Sequence, residues 1–168
     1  MRPRADEIMA SVVATFEEYI VPEVDEPFAQ SIALTLSNLM RLVRLRIQQE
    51  GPMLHADNVD LRATLAEVGS YMRGADGRFA ELVVEIDDVL AAPNMPVDEY
   101  PTLAWMDDQA TTLRWILQRA LEALDAARAD IGTNDDYATI RQRIRQYLRR
   151  SVEREGAVIL PAFTGERR

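Results

Sequence analysis

Apolar residues recur along this chain at steps of three and four with few breaks, and that rhythm predicts helix after helix. The first helix is expected from about Ala5 to Ile20, on Ile8, Val12, Phe16 and Tyr19, and Pro22 stops it. A second starts near Asp25, a cap residue ahead of Pro27, and carries Phe28, Ile32, Leu36, Leu39, Met40, Val43 and Ile47 to a break at Gly51-Pro52. The third, about Asn58 to Arg73, presents Leu61, Leu65, Val68 and Met72, and the fourth, about Asp76 to Ala91, presents Phe79, Leu82, Val83, Ile86, Val89 and Leu90. After a loop with Pro93, Pro96 and Pro101, a fifth helix follows a Thr102 cap to about Ala129. It keeps Leu103, Met106, Ala110, Leu113, Leu117, Leu121 and Leu124 in register. The sixth, capped by Asn134, runs to about Glu155 on Tyr137, Ile140, Ile144, Tyr147 and Leu148.

Amphipathic helices joined by short Gly or Pro connections imply an all-α fold, a single-domain antiparallel bundle of about six helices over residues 1–155. Residues 156–168 read as a separate tail. Its apolar run Ala157 to Phe163 is interrupted by Pro161, which argues against helix there, and it needs a surface to lie on, the bundle's or a partner's.

Composition narrows the chemistry. A chain of 168 residues that is 48% hydrophobic is long enough to bury one core without staples. There is no cysteine and one histidine, His55, and all nineteen basic residues are arginines. Thiolate and Schiff-base mechanisms, multi-histidine metal sites and a P-loop lysine are thereby excluded within one chain. No disulfide demands an oxidising compartment, and no signal core or membrane-spanning run interrupts the pattern, so a cytoplasmic location is expected. The formal charge of −9 argues against nucleic acid and anionic membranes as partners.

Carboxylates alone supply no convincing metal site. Glu81, Glu85 and Asp88 gather where a solvated helix face belongs, and the one Glu-x-x-Glu, Glu23 to Glu26, lies at a helix junction. No catalytic residue, metal or cofactor is expected. His55 falls in an expected loop and reads as a surface residue.

Arginine carries the remaining possibilities. Six arginines between 137 and 154 face one acid, Glu153, a local balance of +5. Arg141, Arg145 and Arg149 flank one side of that helix's apolar stripe, and Arg46 lies in line with Phe28 on the second helix. These four could grip an anionic ligand such as a nucleotide or an acyl-CoA, although pairing with carboxylates is the plainer reading. Trp115, beside Arg119 and opposite its helix's apolar stripe, has the make-up of an interface anchor, as do Ile159, Leu160 and Phe163 in the tail.

Residues 1–50 also resemble the opening of a family of small bacterial helical proteins of unassigned function, encoded beside aminoglycoside-phosphotransferase-like kinases and acyl-CoA dehydrogenases. The resemblance rests on Arg2-Pro3, Ala5-Asp6-Glu7-Ile8, Glu17, Val21-Pro22, Phe28 and the Ala33 to Val43 helix. It implies a cytoplasmic accessory protein and assigns no catalytic residue. The expected function is therefore a non-catalytic helical protein that works through protein contacts, as a homo-oligomer or with another protein. The alternative is a binder or enzyme for a small anionic ligand.

Overall fold

A computed structural model describes residues 2–75, 77–93, 100–131 and 135–164. Every regular element among them is helical: α1 (Ala5–Thr15), α2 (Pro27–Arg73), α3 (Ala80–Ala91), α4 (Leu103–Ile131) and α5 (Asp135–Thr164). A π-helical turn at Phe16–Ile20 and a 3-10 turn at Val21–Glu23 lead from α1 toward α2. None of these helices is long and apolar enough to cross a membrane. The expected all-α bundle is what the chain forms.

Three local expectations need correcting. The second and third expected helices are one helix, α2, with Pro52 inside it. A helical proline gives up one backbone bond and crowds the carbonyl four residues back. It also crowds the Cβ of the residue before it. Here that residue is Gly51, which has no Cβ, so the helix continues and His55 is an exposed helical residue rather than a loop one. Likewise α5 runs through Pro161 to Thr164, so the apolar tail is helical; a proline near a helix end interrupts few bonds. At the start of α2, the Glu26 carboxylate accepts the Ala29 N–H at 2.5 Å, making Glu26 the cap in place of Asp25. The Thr102 cap is as expected, its hydroxyl oxygen accepting the Trp105 N–H at 3.1 Å, whereas the expected Asn134 cap lies outside the described residues.

The chain divides into two compact units, Leu54–Val152 on one hand and Met1–Met53 with Glu153–Arg168 on the other. Helices α2 and α5 each supply a stretch to both.

The Leu54–Val152 unit is an up-down-up-down four-helix bundle. Arg62 on α2 donates to the Leu90 carbonyl at 2.9 Å and also to that of Ala92, so α2 and α3 run antiparallel. Those bonds satisfy carbonyls that the end of α3 leaves free, where Pro93 forces Ala92 out of helical conformation. The Glu85–Arg119, Asp125–Arg141 and Asp60–Arg150 pairs fix α3, α4 and α5 as alternating in direction. Inside, Leu61, Leu65, Val68 and Met72 of α2 meet Leu82 and Ile86 of α3, Leu113, Leu117 and Leu124 of α4, and Ile140, Ile144 and Tyr147 of α5. Gly69 lets α3 come close, since a Cβ there would meet Ile86 Cγ2 at 3.1 Å. Gly77, with φ of 73°, takes the left-handed turn between α2 and α3 that side chains disfavour.

The other unit has a thin core. Among the described residues its buried side chains are small or few: Val13, Ala33, Ser37, Val158 and Ala162. Helix α1 opens on half a capping box, the Glu7 carboxylate accepting the Arg4 N–H at 3.0 Å. It then folds back on α2 as an antiparallel hairpin joined by polar groups. Ser37 donates to Glu17, Arg41 pairs with Glu17 at 2.7 Å, and Gln48 donates to Asp6 at 2.9 Å. The Gln48 bond holds the Asp6 carboxyl below its usual range.

Glu17 senses pH through this hairpin. Partial burial works to raise its carboxyl, but the bonds from Arg41 and Ser37 outweigh burial and leave it below the ordinary glutamate range. A depressed folded-state value stabilises above the unfolded value, about 4.3, and the contribution is lost as pH falls through the folded one. Urea midpoints of the wild type and Glu17→Gln are therefore expected to differ at pH 7 and to draw together as pH falls below the unfolded value of about 4.3. A gap that persists unchanged to pH 3 would show that the Glu17 charge plays no part.

Candidate interaction surface

The α1–α2 hairpin has its polarity reversed relative to an ordinary helix pair. At 100° per residue, Asp6, Val13 and Glu17 occupy the side of α1 that bonds to α2. Ile8, Val12 and Tyr19 lie more than a quarter turn away and are exposed, Tyr19 by 62%. On α2, Ala33, Ser37, Arg41 and Gln48 form the side facing α1, while Phe28, Ile32, Leu36, Leu39, Val43 and Ile47 line the far side. All six are exposed, from 44% for Leu36, Val43 and Ile47 to 72% for Phe28. The periodic residues that normally build a core thus point outward, and small or polar groups hold the pair together.

Such a stripe is larger than scattered surface apolar residues. Half-exposed side chains of this size present roughly 100 Å² each, so six offer about 600 Å², the upper range for the largest patch on an ordinary monomer. A shallow groove of about 590 Å³ on the outward side of α1, floored by Ile8, Val12, Phe16 and Ile20, adds to it. At the end of α5, Ile159, Leu160 and Phe163 are exposed as well, on a helical turn rather than a broken tail.

The arginines are found mostly beside acids. Arg46 pairs with Glu50 at 2.6 Å, one turn on along α2. Arg141 pairs with Asp125 at 3.0 Å, Arg143 with Glu67 at 2.9 Å, and Arg150 grips both Asp60 oxygens at 2.9 and 2.7 Å. Arg145 and Arg149 are exposed. Arg46 belongs to the unit that contains α1, and the other three ligand candidates belong to the bundle. Trp115 is 55% exposed on α4, with the Arg119 guanidinium 4.9 Å from its ring and Glu85 pairing that guanidinium. No group of three His, Asp or Glu side chains among the described residues stands ready to hold a metal.

One polar cluster escaped the sequence reading. Asp57, with 4% of its side chain exposed, accepts from Arg114 at 2.6 Å and from the Tyr147 hydroxyl at 3.4 Å. Burial, and then the Asp57 charge, push the Tyr147 phenol above its ordinary value, so it remains a donor at neutral pH. Arg114 is held above its usual range as well: burial opposes its charge, but the bond to Asp57 prevails. Next to it, buried Asn58 donates to the Met106 carbonyl at 2.9 Å. The signal was available, since Asp57 sits one turn before Leu61 in the buried stripe Leu61, Leu65, Val68 and Met72. The cluster ties α2, α4 and α5 together inside the bundle.

No family model matches the chain, and no curated protein or solved structure does either. Fold and surface define an all-helical protein with a bundle and an outward-facing apolar hairpin.

Proposed function

We propose that this chain is a non-catalytic helical protein that works by holding another polypeptide against the apolar outer side of its α1–α2 hairpin. The observation that carries this reading is the reversed polarity of the hairpin, with six large apolar side chains of α2 in solvent and polar bonds toward α1. Apolar surface of this extent is stabilised by being covered, at about 25 cal/mol per Å² removed from water. Helix-in-groove and helix-on-helix contacts read just such i, i+3, i+4 anchors. The Asp57 cluster serves the bundle's internal structure in this reading. The resemblance of residues 1–50 to small bacterial helical proteins favours an accessory role in the cytoplasm.

The test is to place charge on the stripe. Leu36→Glu with Val43→Glu is expected to leave far-UV circular dichroism and a cooperative melt intact, while binding less of an apolar fluorescent dye than wild type under dilute conditions. Surface substitutions of this kind cost within about 0.5 kcal/mol in the isolated chain. Loss of helix content in the double variant would mean that the stripe is internal packing, and would end this reading.

A further inference from the structure

We infer that the polypeptide covering the α2 stripe is a second copy of this chain, packed antiparallel across a two-fold axis that passes between Leu36 and Leu39. The inference rests on the proposed contact function and names its partner.

Three observations carry it. The stripe has palindromic spacing: from Phe28 to Ile32, Leu36, Leu39, Val43 and Ile47 the steps are four, four, three, four and four. Two antiparallel copies therefore set Phe28 against Ile47, Ile32 against Val43 and Leu36 against Leu39, and each contact occurs twice, as an isologous interface requires. A stripe spanning about 29 Å at 1.5 Å per residue is long enough for such a helix pair.

Charge at the two ends favours the same arrangement. Glu23, Asp25 and Glu26 lie at the start of the stripe, all exposed, and at its finish lie Arg44 and Arg46 with the one acid Glu50, which pairs with Arg46, so the start is acidic and the finish keeps a positive balance. Antiparallel packing brings each acidic end beside the other copy's net positive end, and parallel packing would set like charges together. In the same register the partner's Arg46 comes beside Phe28, the most exposed member of the stripe, where a guanidinium can cover the ring.

Area agrees as well. The stripe's roughly 600 Å² nearly supplies the ~800 Å² per partner of a specific interface, and the apolar outer side of α1 extends it.

Sedimentation equilibrium of the full chain at micromolar concentration is expected to give twice the 19.0 kDa chain mass. Leu36→Glu with Val43→Glu is expected to give the single mass, with dimerisation weakened about a hundredfold or more, because both charges fall in the contact. Charge reversal tests the direction of packing. Glu23→Arg with Asp25→Arg, and separately Arg44→Glu with Arg46→Glu, should each weaken self-association. An equimolar mixture of the two variants should dimerise again, because every end then meets its opposite.

A wild-type monomer at these concentrations would overturn the second copy as partner. The contact reading itself would survive that result provided the monomer still bound the dye through the stripe. A dimer insensitive to Leu36→Glu with Val43→Glu would place the interface elsewhere. A mixture that fails to recover would overturn the antiparallel register.

Discussion

Leu65→Ala is expected to destabilise the chain by about 3 kcal/mol, and Leu36→Ala, in the same helix, to change the stability of an isolated chain by less than about 0.5 kcal/mol. Both residues are leucines on the repeating apolar positions of α2. Leu65 is fully buried among Val68, Ile86, Leu113 and Ile144, whereas Leu36 is 44% exposed. Truncating Leu65 removes buried methyl groups and leaves a cavity that the close-packed α3 and α4 side chains fill only in part. The loss should be the same at every protein concentration. Leu36→Ala acts through assembly instead, so its melting temperature should fall below wild type by an amount that grows with concentration, as mass action requires of anything bound only to the folded form. Thermal melts of both variants over a hundredfold range of concentration separate the cases. A concentration-independent loss of several kcal/mol in Leu36→Ala would place that side chain in the chain's own core.

The contrast between these leucines marks the limit of what the sequence made legible. Periodicity located both stripes with equal clarity. It assigned Leu61, Leu65, Val68 and Met72 to an interior correctly, because α3, α4 and α5 supply matching stripes within the same chain. It had no means of telling that Phe28 to Ile47 meets no such stripe among the described residues, since a repeating apolar face says only that something covers it. Of the interface candidates, Trp115 breaks its helix's pattern and Phe163 ends an apolar run, while the larger exposed surface obeys a pattern. Gly51-Pro52 predicts a stop because proline ends most helices, yet the glycine, a second breaker on its face, is what removes the clash between the proline ring and the residue before it. The hairpin's bonds were invisible for a different reason. Asp6 meets Gln48 and Glu17 meets Arg41, and no local spacing links partners so far apart. Arginine pairing along α5 was legible in outline, because a +5 segment in a chain of charge −9 finds carboxylates wherever it packs.

Removing Arg114 should cost more than removing the carboxylate it binds. Asp57→Ala eliminates a buried charge together with its desolvation, and leaves an arginine whose side chain is 47% exposed and turns to water. Its cost is expected at about 2 kcal/mol, divided between the bonds lost from Arg114 and Tyr147 and the small cavity, with Ser151 still bonded to the Tyr147 hydroxyl. Arg114→Ala leaves the carboxylate in place, with 4% of its side chain exposed and the 2.6 Å bond gone. Stripping the partner from a buried charge costs about 3–5 kcal/mol when nothing replaces it, and Tyr147 replaces part, so about 3 kcal/mol is expected. Tyr147→Phe keeps the packing and loses one donor, at about 1 kcal/mol. Asp57→Ala with Arg114→Ala should then cost little more than Asp57→Ala alone, because with the carboxylate gone the arginine keeps only its bond with Tyr147. Urea unfolding of the two singles and the double gives the coupling directly. Additive costs would mean that Asp57 and Arg114 act independently and that the bundle is held by its apolar layers alone. A coupled pair would mean that the Asp57–Arg114 bond ties α4 to α2.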